Sequence, residues 1–190
     1  MHRQPPKLQP VRPVHGGASA FTLVELLVVV TIVAVLASLT TIGYSRFVSH
    51  SRGAACAANL RAIGAGLNLY LAEHRQQLPV MMAARESVED QVPVLDTVLA
   101  DYVDSHDAFR CPGDDRGLHQ HTGTSYHWNS TLNGQHISRL NFLGLTSSAA
   151  GIPLVADKEN FHPYRGDEVN ILYADGRVEQ QLRFAVDGDR

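Results

Sequence analysis

From Phe21 to Thr40 the chain runs for twenty residues with a single charge, Glu25. As a helix rising about 1.5 Å per residue, the run would be about 30 Å long, the thickness of a bilayer's hydrocarbon core. A helix that is apolar all round has to be covered on every side, by lipid or by other helices. A chain of 190 residues has room for one such segment and one ordinary core besides. The acid inside the run needs a reason, because on insertion scales a carboxylate at the bilayer centre costs up to roughly 2.5–3.5 kcal/mol and intramembrane acids usually have a partner.

The twenty residues before the run, MHRQPPKLQPVRPVHGGASA, contain four prolines and two adjacent glycines and show no apolar periodicity. They read as a flexible basic leader. Arg3, Lys7 and Arg12 lie here without a single acid, whereas the chain as a whole has 16 basic and 19 acidic residues. The body is therefore mildly acidic, which argues against a nucleic-acid partner. By the positive-inside rule, residues 1–20 belong in the cytoplasm and the body on the far side of the membrane.

Three readings of the segment compete, two from the residues and one from a resemblance. One is a secretory signal cut after Val35-Leu36-Ala37, where small residues precede Ser38. Another is an uncleaved anchor for an unrelated extracytoplasmic binding domain, with Glu25 snorkelling to the headgroups. The third comes from SAFTLVELLVVVTIVAVLAS, which resembles the N-terminal signature of type IV prepilins and type II secretion pseudopilins. The resemblance implies a cut by prepilin peptidase between Ala20 and Phe21, methylation of the new Phe21 amine, and a role for Glu25 in filament assembly. It also implies like subunits and an inner-membrane assembly platform as partners. Cleavage would create an ammonium near Glu25, and two such charges about 4 Å apart attract by roughly 4 kcal/mol at an effective dielectric of 20, the order of the insertion cost. Two positions depart from the family. Ala20 stands where glycine is usual, with Gly16 and Gly17 too far upstream to substitute, and Gly43 stands near where many pilins have a proline.

Beyond the run, CAANLRAIGAGLNLYLAEHRQQLP continues in helical period, with Leu60, Ile63, Leu67 and Leu71 three or four residues apart. The spacing predicts a helix nearly unbroken from Phe21 to about His74, ended by Pro79. Gly53, Gly64 and Gly66 weaken its outer half, so that half is expected to depend on docking against a sheet. Val169–Ala174 and Arg177–Leu182 read as strands joined at Asp175-Gly176, an expected two-residue type I′ turn. Ile152–Ala156 reads as a third strand, with Pro153 at its start or at an edge. Val94–Val103 is expected to be a short helix, and residues 112–136 mostly loop.

The segments Cys56-x-x-Asn59-Leu60, FRCPGDD at 109–115, SYHWN at 125–129 and RGDEVNILYADGRVEQ at 165–180 are similar, in order, to a group of prepilin-like proteins of planctomycete and verrucomicrobial type. Those proteins end in a histidine, nine residues and Asp-Gly. Counting back from Asp175 places Arg165 at the histidine position, and His162 lies three residues earlier. The fold expected from residues and resemblance together is α+β and pilin-like. It comprises a leader at 1–20, a transmembrane helix at 21–45, and a body at 46–190 in which the helix continues against a small antiparallel sheet.

Cys56 and Cys111 admit two outcomes, two buried thiols or a bridge. Closing a loop of this length would stabilise by roughly 4 kcal/mol in the chain-entropy model, and an extracytoplasmic body favours the bridge. A metal reading would join Cys111 to His119, His121 and His127, but their spacing matches no compact zinc pattern. Calcium at Asp157, Glu159, Asp167 or Asp175 is suggested by the resemblance to major pseudopilins alone, since no regular calcium-loop spacing appears. No cofactor is otherwise expected. The chain lacks a Gly-x-Ser-x-Gly elbow, a phosphate loop and a local Cys-His signature, so it does not read as an enzyme.

Overall fold

The computed structural model describes residues 21–162 and 169–180, with the side chains of residues 39–43 outside the described set. Two compact units divide between Ile42 and Gly43. The architecture is α+β: a long N-terminal helix and a small antiparallel sheet of four strands.

Helix α1 spans Leu23–Glu73. Its N-terminal portion, residues 23–38, is exposed throughout, as are Phe21 and Thr22 before it. Among the described residues, no helix is long and apolar enough to cross a membrane; the described side chains of the apolar run stop at Ser38. In the second unit, Cys56, Leu60, Ile63, Leu67 and Leu71 form one stripe of α1, and all are buried. The helix does not reach Pro79. Arg75 and Gln76 adopt left-handed conformations, and the Gln76 amide donates back to the Leu71 carbonyl at 2.8 Å. That bond satisfies a terminal carbonyl as a Schellman-type end does, so the stop is made by backbone hydrogen bonding rather than by the proline.

The sheet runs in the order β1 (Tyr126–Trp128), β2 (Pro153–Asp157), β3 (Ile171–Tyr173), β4 (Val178–Glu179), with every neighbouring pair antiparallel. Strand β1 falls where the sequence reads as loop. Its three residues alternate buried, exposed, buried, too short a run to stand out from the turns around it. Pro153 opens β2, an inner strand, which a first position allows because its missing N–H leaves only one ladder bond unmade. The register shifts between Pro153 and Val155. The Val94–Val103 region divides into α2 (Leu95–Val98) and a 3₁₀ turn at Ala100–Tyr102.

The β3–β4 connection is not the expected type I′ turn. Only Gly176 has positive φ; its amide donates to the Tyr173 carbonyl, and the Tyr173 amide donates to the Arg177 carbonyl. Ala174, Asp175 and Gly176 thus form a three-residue loop, a type I turn followed by a left-handed glycine. The core gathers the α1 stripe with Phe109, Tyr126, Trp128, Leu154, Val155 and Leu172.

Candidate functional site

At the N-terminus of α1 the sequence Thr22-x-x-Glu25 closes a capping box. The Thr22 amide and hydroxyl each donate to Glu25 Oε2 at 2.9 Å, and the Glu25 amide donates to Thr22 Oγ1 at 3.2 Å. Each side chain thereby satisfies an amide of the first helical turn, which otherwise has no intrahelical acceptor. Glu25 therefore has a partner in the uncut chain, one that the Thr-x-x-Glu spacing signals. Phe21 and Leu23 are 84% and 80% exposed, and Leu26, Val29, Val33 and Leu36 around the helix are exposed as well. This apolar surface is not confined to one face. Ala20 lies outside the described residues, as do the leader, Arg165 and Asp167.

A second assembly lies in the body. Cys56 and Cys111 are joined in a disulfide with Cα atoms 4.9 Å apart. The Cys-x-x-Asn spacing on α1 places Cys56 and Asn59 one turn apart, and both hold the same loop: Asn59 Nδ2 donates to the Arg110 carbonyl at 2.7 Å, next to the bridge. On the far side of the sulfur, His162 Nε2 lies 3.5 Å from Cys111 Sγ, and the Gly113 amide donates to that sulfur at 3.4 Å. Asp157 Oδ2 is 3.7 Å from His162 Nε2 and accepts from the Asn170 amide at 2.8 Å and Nδ2 at 2.9 Å. Cys56, Cys111, Asp157, His162 and Asn170 are all buried.

The remaining motif residues tie this loop to the sheet. Asp114 accepts from the amides of Leu118 and His119, the first turn of α3 (Leu118–Thr122), and from the Ser125 hydroxyl at 2.7 Å. Burial by itself would raise the Asp114 carboxyl; these donors outweigh it and hold the group below the usual carboxylate range. Asn129 Nδ2 donates to the Pro153 carbonyl at 2.8 Å, fastening the end of β1 to β2.

The metal set read from sequence does not assemble. Cys111 is bridged, and the histidine at its sulfur is His162 rather than His119, His121 or His127. His119 instead lies half-buried with its ring 6.0 Å from that of His106, and burial lowers its basicity. Asp157 and Asp175 stand at opposite ends of β2, since Asp157 pairs with Tyr126 while Asp175 follows Tyr173, the partner of Pro153. Four residue steps of strand separate those ends by roughly 13 Å, too far for one ion. Asp175 is engaged by Arg177 through the amide at 3.1 Å and Nε at 2.5 Å, and Glu159 pairs with Arg116 at 2.5 Å. Sequence reasoning missed the buried ion pair of Arg85 with Asp96, at 2.6 Å, whose partners come from an unremarkable stretch and meet only through the fold.

Residues 17–41 match the family model of the prokaryotic N-terminal methylation motif. The match covers Ala20, Phe21 and Glu25 and marks a prepilin-type N-terminus; it does not extend to the C-terminal Asp-Gly element. No curated protein and no solved structure matches the chain.

Proposed function

We propose that the chain is the precursor of a pilin or pseudopilin subunit, a structural component rather than an enzyme. Prepilin peptidase removes residues 1–20, Phe21 becomes the methylated N-terminus, and the apolar helix holds the subunit in the cytoplasmic membrane until it packs beside the helices of like subunits at an inner-membrane assembly platform. The body stands on the extracytoplasmic side, in a type IV pilus-like or type II secretion-like filament.

One observation carries this reading. The methylation motif matches the start of a helix whose apolar side chains are exposed on all sides from Phe21 to Leu36. Such a helix needs lipid or copies of itself. Packing between helices in lipid gains little from hydrophobicity, so side-chain shape and the pairing of Glu25 would set the register between subunits. The test is recovery of the Glu25→Ala variant in a sheared-filament or secretion-complex fraction. The subunit reading expects the variant to be cleaved and membrane-held but absent from assemblies. Normal assembly would leave the rival, a monomeric anchored binding domain that uses the motif for export.

A further inference from the structure

We propose that, with its two cysteines reduced, the body binds one divalent ion of the zinc class through Cys56, Cys111 and His162. The three donor atoms, two Sγ and a ring nitrogen of His162, all lie within 4.8 Å of one another and all three residues are buried. Around a tetrahedral zinc, with bonds of about 2.3 Å to sulfur and about 2.0 Å to nitrogen, donors sit roughly 3.5 Å apart or slightly more. Cys111 Sγ and His162 Nε2 already stand at 3.5 Å. Reduction frees the two sulfurs to part around the ion.

The surroundings suit thiolate ligands. The Gly113 amide, two residues past Cys111, points its N–H at the Cys111 sulfur and would stabilise negative charge there. A Cβ at Gly113 would lie 2.6 Å from the His162 ring and 2.8 Å from the Phe161 carbonyl, so the glycine is what lets the histidine approach the sulfur. Asp157 Oδ2, held by two donors of Asn170, lies 3.7 Å from His162 Nε2 and puts a carboxylate beside the ring. Two soft sulfurs with an imidazole select zinc-class ions over calcium or magnesium, which prefer oxygen alone.

Metal and disulfide are then exclusive states of one site. Metal binding releases the two thiol protons. Oxidation by an incoming disulfide forms the Cys56–Cys111 bond, releases the ion, and transfers two electrons to the incoming disulfide, which takes up two protons and leaves as two thiols.

The test uses the full chain in detergent micelles, oxidised or reduced with a phosphine, and titrates Co(II) alone as a spectroscopic probe, followed by Zn(II). The expected result is one Co(II) per reduced chain with a sulfur-to-cobalt charge-transfer band, displaced by Zn(II), and no band in the oxidised chain. His162→Ala should weaken binding at least tenfold, while His119→Ala and His121→Ala leave it unchanged. Absence of the band in a reduced chain that keeps its far-ultraviolet circular dichroism would overturn the proposal. So would equal affinity in His162→Ala, or equal losses in all three histidine variants. If reduction alone unfolds the body, stoichiometric Co(II) should restore the dichroism, and failure to restore it counts against the site.

Discussion

Glu25 has one partner in the structure, Thr22, and the proposed processing would give it a second. Before any cut its carboxylate closes the capping box with Thr22, so the acid has a local structural reason as well as the amine that processing would create. Replacing Thr22 by Ala removes a cap of a kind typically worth about 1 kcal/mol. It should fray the first turn, read as faster amide exchange at residues 23–26, with no change in the body. Asp114 carries a buried charge in the loop that follows Cys111. Its folded pKa lies below the ordinary value of about 3.9, so its contribution is fully present above that value and is lost as pH falls through the folded pKa. Asp114→Asn should therefore destabilise the body by about 1.5–3 kcal/mol at pH 7, the usual worth of a hydrogen-bonded charge. In denaturant titrations at descending pH the gap between variant and parent should close below about pH 4. A constant gap would assign the loss to packing instead.

Along helix α1, Gly66 reverses what propensity predicts. Alanine is favoured over glycine in a helix by about 1 kcal/mol. Yet a Cβ at Gly66 would lie 2.6 Å from Val103 Cγ2 and 2.8 Å from the Tyr102 carbonyl, where the 3₁₀ turn crosses the helix. Since backbone cannot yield cheaply, Gly66→Ala should destabilise by about 1–3 kcal/mol, the range of overpacked cores, and a thermal melt reads the sign directly. The Arg85–Asp96 pair joins the segment before α2 to α2 itself, and Arg85 Nε also donates to the Thr122 carbonyl at the end of α3. Asp96→Ala strands a buried guanidinium and should cost about 3–5 kcal/mol, whereas a double variant with apolar partners at both positions should recover much of it. Chemical denaturation of the single and double variants distinguishes the two outcomes.

For the whole molecule, long-period features were legible and short-range geometry was not. The α1 stripe of Leu60, Ile63, Leu67 and Leu71 repeats often enough to be read from spacing, and the α+β order of long helix followed by small sheet came with it. Strand β1 was invisible because three residues cannot display a period, and the β3–β4 loop was misjudged because Asp-Gly suits both a two-residue and a three-residue turn. Within the candidate sites, the Thr22–Glu25 box could have been read from its spacing. His162 could not have been matched to Cys111: 51 residues separate them, and burial of both against the end of β2 is a product of the fold.

The central claim, that this chain is a prepilin processed for assembly, rests on the identity of the mature N-terminus. Intact mass and N-terminal sequencing of the protein recovered from membranes of its own cell measure that directly. The account predicts a chain beginning at Phe21 and heavier by one methyl group on its α-amine. A chain that retains residues 1–20, or one that begins at Ser38, would contradict it.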